Sequence, residues 1–99
     1  MKSDIIAEIQ FYHEKDGGRK NSLPQNFFGC PMIIKDKKYD CRILLNDIGK
    51  INPGDKVIVP IKFLDSETVL NVLEKDDKFN LWEMSIIAEG KVIKKCISV

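Results

Sequence analysis

The side chains that could do chemistry are few, and they are scattered along the chain. His13 is the single histidine. It stands beside Glu14, and imidazole is the one side chain whose ordinary titration falls near neutral pH. No serine occupies a Gly-x-Ser-x-Gly elbow, and none of Cys30, Cys41 and Cys96 has an evident base beside it in sequence. Asp16 and the Asp76-Asp77 pair fall in stretches that read as turns, where aspartate usually binds nearby backbone. Gly17-Gly18-Arg19-Lys20 offers flexible amides beside two cations, but without the Gly-x-x-x-x-Gly-Lys-Ser/Thr spacing of a phosphate loop. Metal binding needs His, Cys or acids clustered at ligand spacing, and three cysteines without a Cys-x-x-Cys pair do not provide it. The sequence predicts no catalytic residue, metal site, cofactor or bound nucleotide. Cys41 and Cys96 lie in alternating apolar stretches, so the thiols read as reduced, small buried hydrophobes.

Bulk properties narrow the partner. The chain has 99 residues, 43% of them hydrophobic and 31% charged, enough for one domain, 1–99, with a modest core. Sixteen Lys and Arg oppose fifteen Asp and Glu, for a formal charge of +1. Such a balance does not suit a protein that works by global attraction to nucleic acid or to an anionic membrane. Only Arg19 and Arg42 are arginines. Guanidinium is the group that grips phosphate bidentately and stacks on bases, so any RNA contact is expected to be local and salt-sensitive. No apolar run approaches the roughly 18 residues of a membrane span. Glu8 interrupts the N-terminal apolar stretch before a signal-peptide core forms. These features predict a cytoplasmic protein with no membrane partner.

The elements that must position these residues are mostly strands. Apolar residues recur at period two in Ile5, Ala7, Ile9 and Phe11, in Tyr39, Cys41, Ile43 and Leu45, and in Val57, Val59, Ile61 and Phe63. Trp82, Met84, Ile86 and Ala88 read as a fifth strand with one apolar face, joined through a Glu89-Gly90-Lys91 hairpin to a sixth over 92–99. A stretch from Phe28 to Lys35 supplies the remaining strand, and Lys35 to Lys38 its solvated turn. Asn52-Pro53-Gly54-Asp55 is a turn in which proline presets one corner and glycine accepts the next. Pro60 predicts a gap in the fourth strand's ladder, at an edge or a bulge. Asp65 or Ser66 caps a short helix over 66–74, with Val69, Leu70 and Leu73 at helical spacing. Asp16 to Asn26 is a long polar loop. The sum is an all-β fold, a six-stranded antiparallel barrel.

The order of motifs adds a resemblance. Ala7-Glu8-Ile9, then Glu14-Lys15-Asp16-Gly17-Gly18-Arg19, Phe27-Phe28-Gly29-Cys30-Pro31-Met32, Pro53-Gly54-Asp55 with Val57-Ile58-Val59, and a closing strand with Glu89-Gly90 resemble the third, C-terminal domain of translation elongation factor Tu. The resemblance runs from about Ile5 to Ile97. Cys30 stands where the family has arginine, and the family's GTPase domain has no counterpart. The resemblance implies a six-stranded antiparallel barrel and a partner in translation. It also implies, together with loop position, that His13, Gly17, Gly18, Arg19, Lys20 and Asn21 contact that partner or RNA.

Two functions follow as expectations. The leading one is a non-catalytic binding domain for a protein partner, either a component of the translation machinery or a toxin that a small immunity protein neutralises. The alternative is an accessory protein that binds RNA or tRNA.

Overall fold

The computed structural model describes residues 2–96. Alternation shapes the first strand directly. In β1 (Ile5–Phe11), Ile5, Ala7, Ile9 and Phe11 are buried and the residues between them are half-buried. Further along the chain lie β2 (Phe27–Ile34), β3 (Lys37–Leu44), β4 (Lys56–Phe63), helix α1 (Ser66–Val72), β5 (Lys78–Trp82) and β6 (Ile86–Lys95). All neighbouring strands are antiparallel, and they close into a barrel of order β1-β4-β3-β2-β5-β6. The six-stranded all-β barrel expected from the sequence is what forms. Its interior is filled by side chains, among them Ile5, Ile9, Met32, Ile43, Ile61, Phe63, Leu81 and Val92. A barrel this narrow has room for side chains and no lumen.

The ladders are unequal. β2 and β3 share eight pairs, Phe27↔Leu44 through Ile34↔Lys37. β2 and β5 share two, Met32↔Leu81 and Ile33↔Asn80, while β3 and β4 share three. The β2–β3 hairpin turns through Lys35 and Asp36, whose φ angles of 49° and 70° follow the right-handed twist of the strands. In the Asn52–Asp55 turn, the Asp55 amide donates to the Asn52 carbonyl at 3.0 Å and Gly54 takes φ 92°.

Helix α1 is short and held at both ends. Asp65 caps its start, accepting from the Thr68 amide at 3.3 Å and the Thr68 hydroxyl at 2.7 Å. It ends at Val72, two residues before the expected limit, because Leu73 turns to an extended conformation and enters the core. Two lysines serve the carbonyls that the helix leaves unpaired. Lys95 Nζ donates to Leu70 at 3.0 Å and Leu73 at 2.9 Å, and Lys35 Nζ donates to Val72 at 3.2 Å. Buried Asp4 ties the helix to β4, accepting from the Phe63 amide at 2.8 Å and the Ser66 hydroxyl at 2.7 Å.

The structure corrects the sequence reading at two places. The fifth strand is Lys78–Trp82, and its turn is Glu83-Met84-Ser85. Met84 is therefore 90% exposed with φ 63°, while Phe79 and Leu81 supply the buried face. Glu89-Gly90-Lys91 is no hairpin but the middle of β6, pairing with β1 and β5 at once. Gly90 is needed there because the Phe79 ring lies where a Cβ would stand. β6 is described to Lys95, and the end of the expected 92–99 strand lies outside the described residues. At Pro60 the ladder gap expected from the sequence is present, and only its expected setting at an edge is corrected. A closed barrel leaves it no edge, and Pro60 pairs with Ile6 on β1 but lies just past Ile43↔Ile61, where the β3 ladder stops. That gap accommodates a residue without an N–H.

The packing at Gly90 generates a test. Gly90→Ala is expected to lower stability by about 1–3 kcal/mol, as overpacking a filled core does, read as a fall in the urea midpoint. Adding Phe79→Leu to Gly90→Ala should recover part of that loss relative to Phe79→Leu alone. Equal effects of Gly90→Ala in both backgrounds would show that the ring is not the cause.

Candidate functional site

The loop named by the sequence is ordered by bonds to the barrel. A 3₁₀ turn, Glu14–Asp16, follows β1, and Gly17 closes it at φ 100°. The Gly18 amide donates to the His13 carbonyl at 2.9 Å, and Gly18 lies so close to the Tyr12 carbonyl that a side chain has no room. His13 is exposed, and its imidazole rests on Gly54 of the Pro53-Gly54-Asp55 turn. Lys20 and Asn21 are exposed. The loop then returns to the barrel, where the Leu23 amide donates to Ile51 at 2.9 Å.

Arg19 does something different from its neighbours. Its Nη1 lies 2.7 Å from both carboxylate oxygens of Glu83, and its guanidinium stacks 4.7 Å from the centre of the Phe28 ring. Its side chain is only 18% exposed. Arg19 thus fastens the loop to the β5–β6 turn, where the Ser85 hydroxyl also donates to the Gly17 carbonyl at 3.4 Å. The structure brings the six predicted residues to one end of the barrel, with Arg19 engaged internally.

A second surface went unnoticed in the sequence. In β2 the inward residues are Phe28, Cys30, Met32 and Ile34, and the outward ones are Phe27, Gly29, Pro31 and Ile33. Both faces of the strand are apolar. In a sheet with one solvated face, outward positions are usually polar, and an outward apolar set is the observation that calls for a reason. The signal was present in the eight residues Phe27–Ile34, which contain no charged or polar side chain.

The neighbours of β2 extend this face. Arg42, opposite Gly29 on β3, stacks 4.9 Å from the centre of the Phe27 ring, and Phe27 remains 47% exposed. Lys38, opposite Ile33, lies 3.8 Å from the centre of the Trp82 ring on β5, so its chain crosses β2. Leu64, just after β4, is 81% exposed. A groove of about 520 Å³ runs across β2, β3 and β4, lined by Gly29, Pro31, Asp40, Arg42, Lys62 and Leu64. Arg42 and Lys62 face each other across the β3–β4 ladder. Lys62 is engaged by Asp4 at 3.3 Å and by Ser66 at 2.8 Å.

Two of the thiols lie below this face. Cys30 and Cys41 are directly opposite in the β2–β3 ladder, both buried and both free. The Cys41 thiol donates to the Cys30 carbonyl at 3.3 Å. Its hydrogen bonding to Cys30, followed by burial and the nearby Asp40 charge, holds its pKa well above the ordinary value. It therefore stays protonated, and a thiol rather than a thiolate is a poor nucleophile. Cys96 is half-buried, beside the Ser3 hydroxyl at 3.5 Å.

Among the described residues no group of three or more His, Cys, Asp and Glu is arranged to hold a metal ion. No helix among them is long and apolar enough to cross a membrane. No protein-family model and no curated protein matches the chain.

Two measurements follow. Arg19→Ala is expected to cost about 1 kcal/mol, the scale of a part-exposed ion pair joined to a ring contact, and to speed amide exchange at Gly17 and Gly18. Unchanged exchange would show that the loop is held without Arg19. Iodoacetamide at about pH 8, near the ordinary thiol pKa, should modify Cys96 first in the native protein. Cys30 and Cys41 should react only after denaturation, and mass spectrometry that finds Cys41 labelled in the folded state would contradict the buried arrangement.

Proposed function

We propose that the chain is a non-catalytic binding module that docks a protein partner on the outer face of β2 and its neighbours. The observation that carries this reading is the row Phe27, Gly29, Pro31 and Ile33, turned outward from a barrel whose interior is already full. Interface cores are enriched in aromatics and arginine and poor in free charge. This face has Phe27 under Arg42 and Trp82 under Lys38. An arginine held on an aromatic ring is the kind of anchor that dominates binding energies in alanine scans.

Charge favours protein over RNA. The chain is nearly neutral at +1, and one of its two arginines is paired with Glu83. Tight RNA binding rests on many phosphate contacts by cations. The order of sequence motifs that resembles the third domain of elongation factor Tu directs the search for the partner toward the translation machinery, and the expectation of a toxin-neutralising binder directs it toward a toxin.

The test is an affinity pull-down from native cytosol at physiological salt, with and without RNase. A stoichiometric protein that survives RNase and is lost with Arg42→Glu supports the module and its face. Recovery that depends on RNA, or that is lost with Lys20→Glu rather than Arg42→Glu, overturns it.

A further inference from the structure

Gly29 is a glycine that the fold itself does not require. Gly90, the other glycine within a strand, is required by the Phe79 ring. A Cβ at Gly29 would meet nothing nearer than the Cys41 carbonyl at 3.8 Å and Arg42 Cγ at 4.0 Å, which is ordinary contact. Its φ lies outside the left-handed region that favours glycine. Glycine within a strand costs stability and packs nothing. What its bare backbone does provide is the groove, because any side chain there would project into the space between Pro31, Arg42 and Leu64.

The rim has a sign. The groove is lined by Arg42 and Lys62 against the single carboxylate of Asp40. Lys62 is already bonded to Asp4, whereas Arg42 has no ion-pair partner among the described residues. Stacking on Phe27 fixes the plane of the Arg42 guanidinium and leaves its N–H edge available for a carboxylate.

We propose that this groove takes an acidic, extended segment of the protein partner, seating one bulky apolar side chain over Gly29 and Pro31 and one carboxylate on Arg42. The inference rests on the binding-module reading and specifies its ligand. A groove of about 520 Å³ is in the range that encloses a small ligand or one or two side chains rather than a whole domain surface. Leu64, exposed at its edge, supplies an apolar wall.

The experiment selects a random peptide library displayed on phage against the immobilised full-length protein. The enriched peptide, made with a fluorescent label, is then titrated by anisotropy. The expected consensus has Asp or Glu flanking Leu, Phe or Trp. Affinity should fall on the order of tenfold or more in Gly29→Trp, which fills the groove, and in Arg42→Glu. It should be unchanged in Lys20→Glu, on the loop. Gly29→Ala, whose added methyl group has room, serves as the folded reference, and circular dichroism confirms that each variant keeps the barrel. A basic or uncharged consensus, no enrichment, or equal binding by Gly29→Trp would overturn the proposal. Should the pull-down still yield an RNase-resistant protein that depends on Arg42, the module reading stands and only this ligand fails. Should recovery depend on RNA, both fail.

Discussion

Closure of the sheet is the constraint on which the rest of the structure depends. Every strand must find two partners, yet the lengths available are unequal. β2 and β3 pair over eight positions as a hairpin, while the two seams that complete this side of the barrel have two pairs and three. Short ladders contribute few backbone bonds, so side chains reinforce them. At the β3–β4 seam, the Leu64 amide just after β4 donates to the Asp40 carbonyl of β3 at 3.1 Å, while Asp4 binds the Phe63 amide, Ser66 and Lys62, joining the residue before β1 to the end of β4 and the start of α1. At the β2–β5 seam, Arg19 lies on Phe28 of β2 and grips Glu83 just beyond β5. Lys35 and Lys95 come from the β2–β3 turn and from β6 to bind carbonyls at the end of α1. Several of the long polar contacts of the molecule thus serve closure.

This division explains what the sequence revealed and what it withheld. Period-two alternation identified the inward faces of β1, β3 and β4, because there buried apolar side chains recur at every second position and several of the positions between them are charged or polar. Local chemistry also gave the Asn52–Asp55 turn and the Asp65 cap. The exchange of β5 with its following turn was hidden for a long-range reason. Glu89-Gly90-Lys91 has the composition of a turn, and only the Phe79 ring, eleven positions away, explains why a glycine is required in mid-strand. Met84 misled in the opposite sense, as an apolar residue occupying a left-handed turn position. The candidate loop was found by position and resemblance, but the engagement of Arg19 with Glu83 joins residues sixty-four positions apart and has no local signature. The outward face of β2 was legible as an uncharged eight-residue run. Its meaning required knowing that the opposite face was already buried.

Closure also decides where recognition can happen. A full interior leaves no internal ligand site, and strands paired on both sides offer little edge for a partner to extend. What remains are outward side chains and loops. Many outward positions of β1, β3, β4 and β6 are charged or polar, such as Glu8, Gln10, Lys56, Lys62 and Glu89, with Ile6, Leu44, Ile58 and Pro60 among the apolar exceptions. β2 departs from that pattern along its whole length. It shares eight pairs with β3, so its outward residues stand on a backbone held along that whole side. Groups placed on such a strand lose little freedom when a partner arrives, whereas a side chain on a loose loop must first be ordered. Arg42 gains the same advantage from its contact with Phe27. The polar loop is held too, but the arginine that holds it is thereby withdrawn from recognition. The physical case for binding therefore rests on the face where both rigidity and unspent contact groups coincide, and that face is β2 with Arg42.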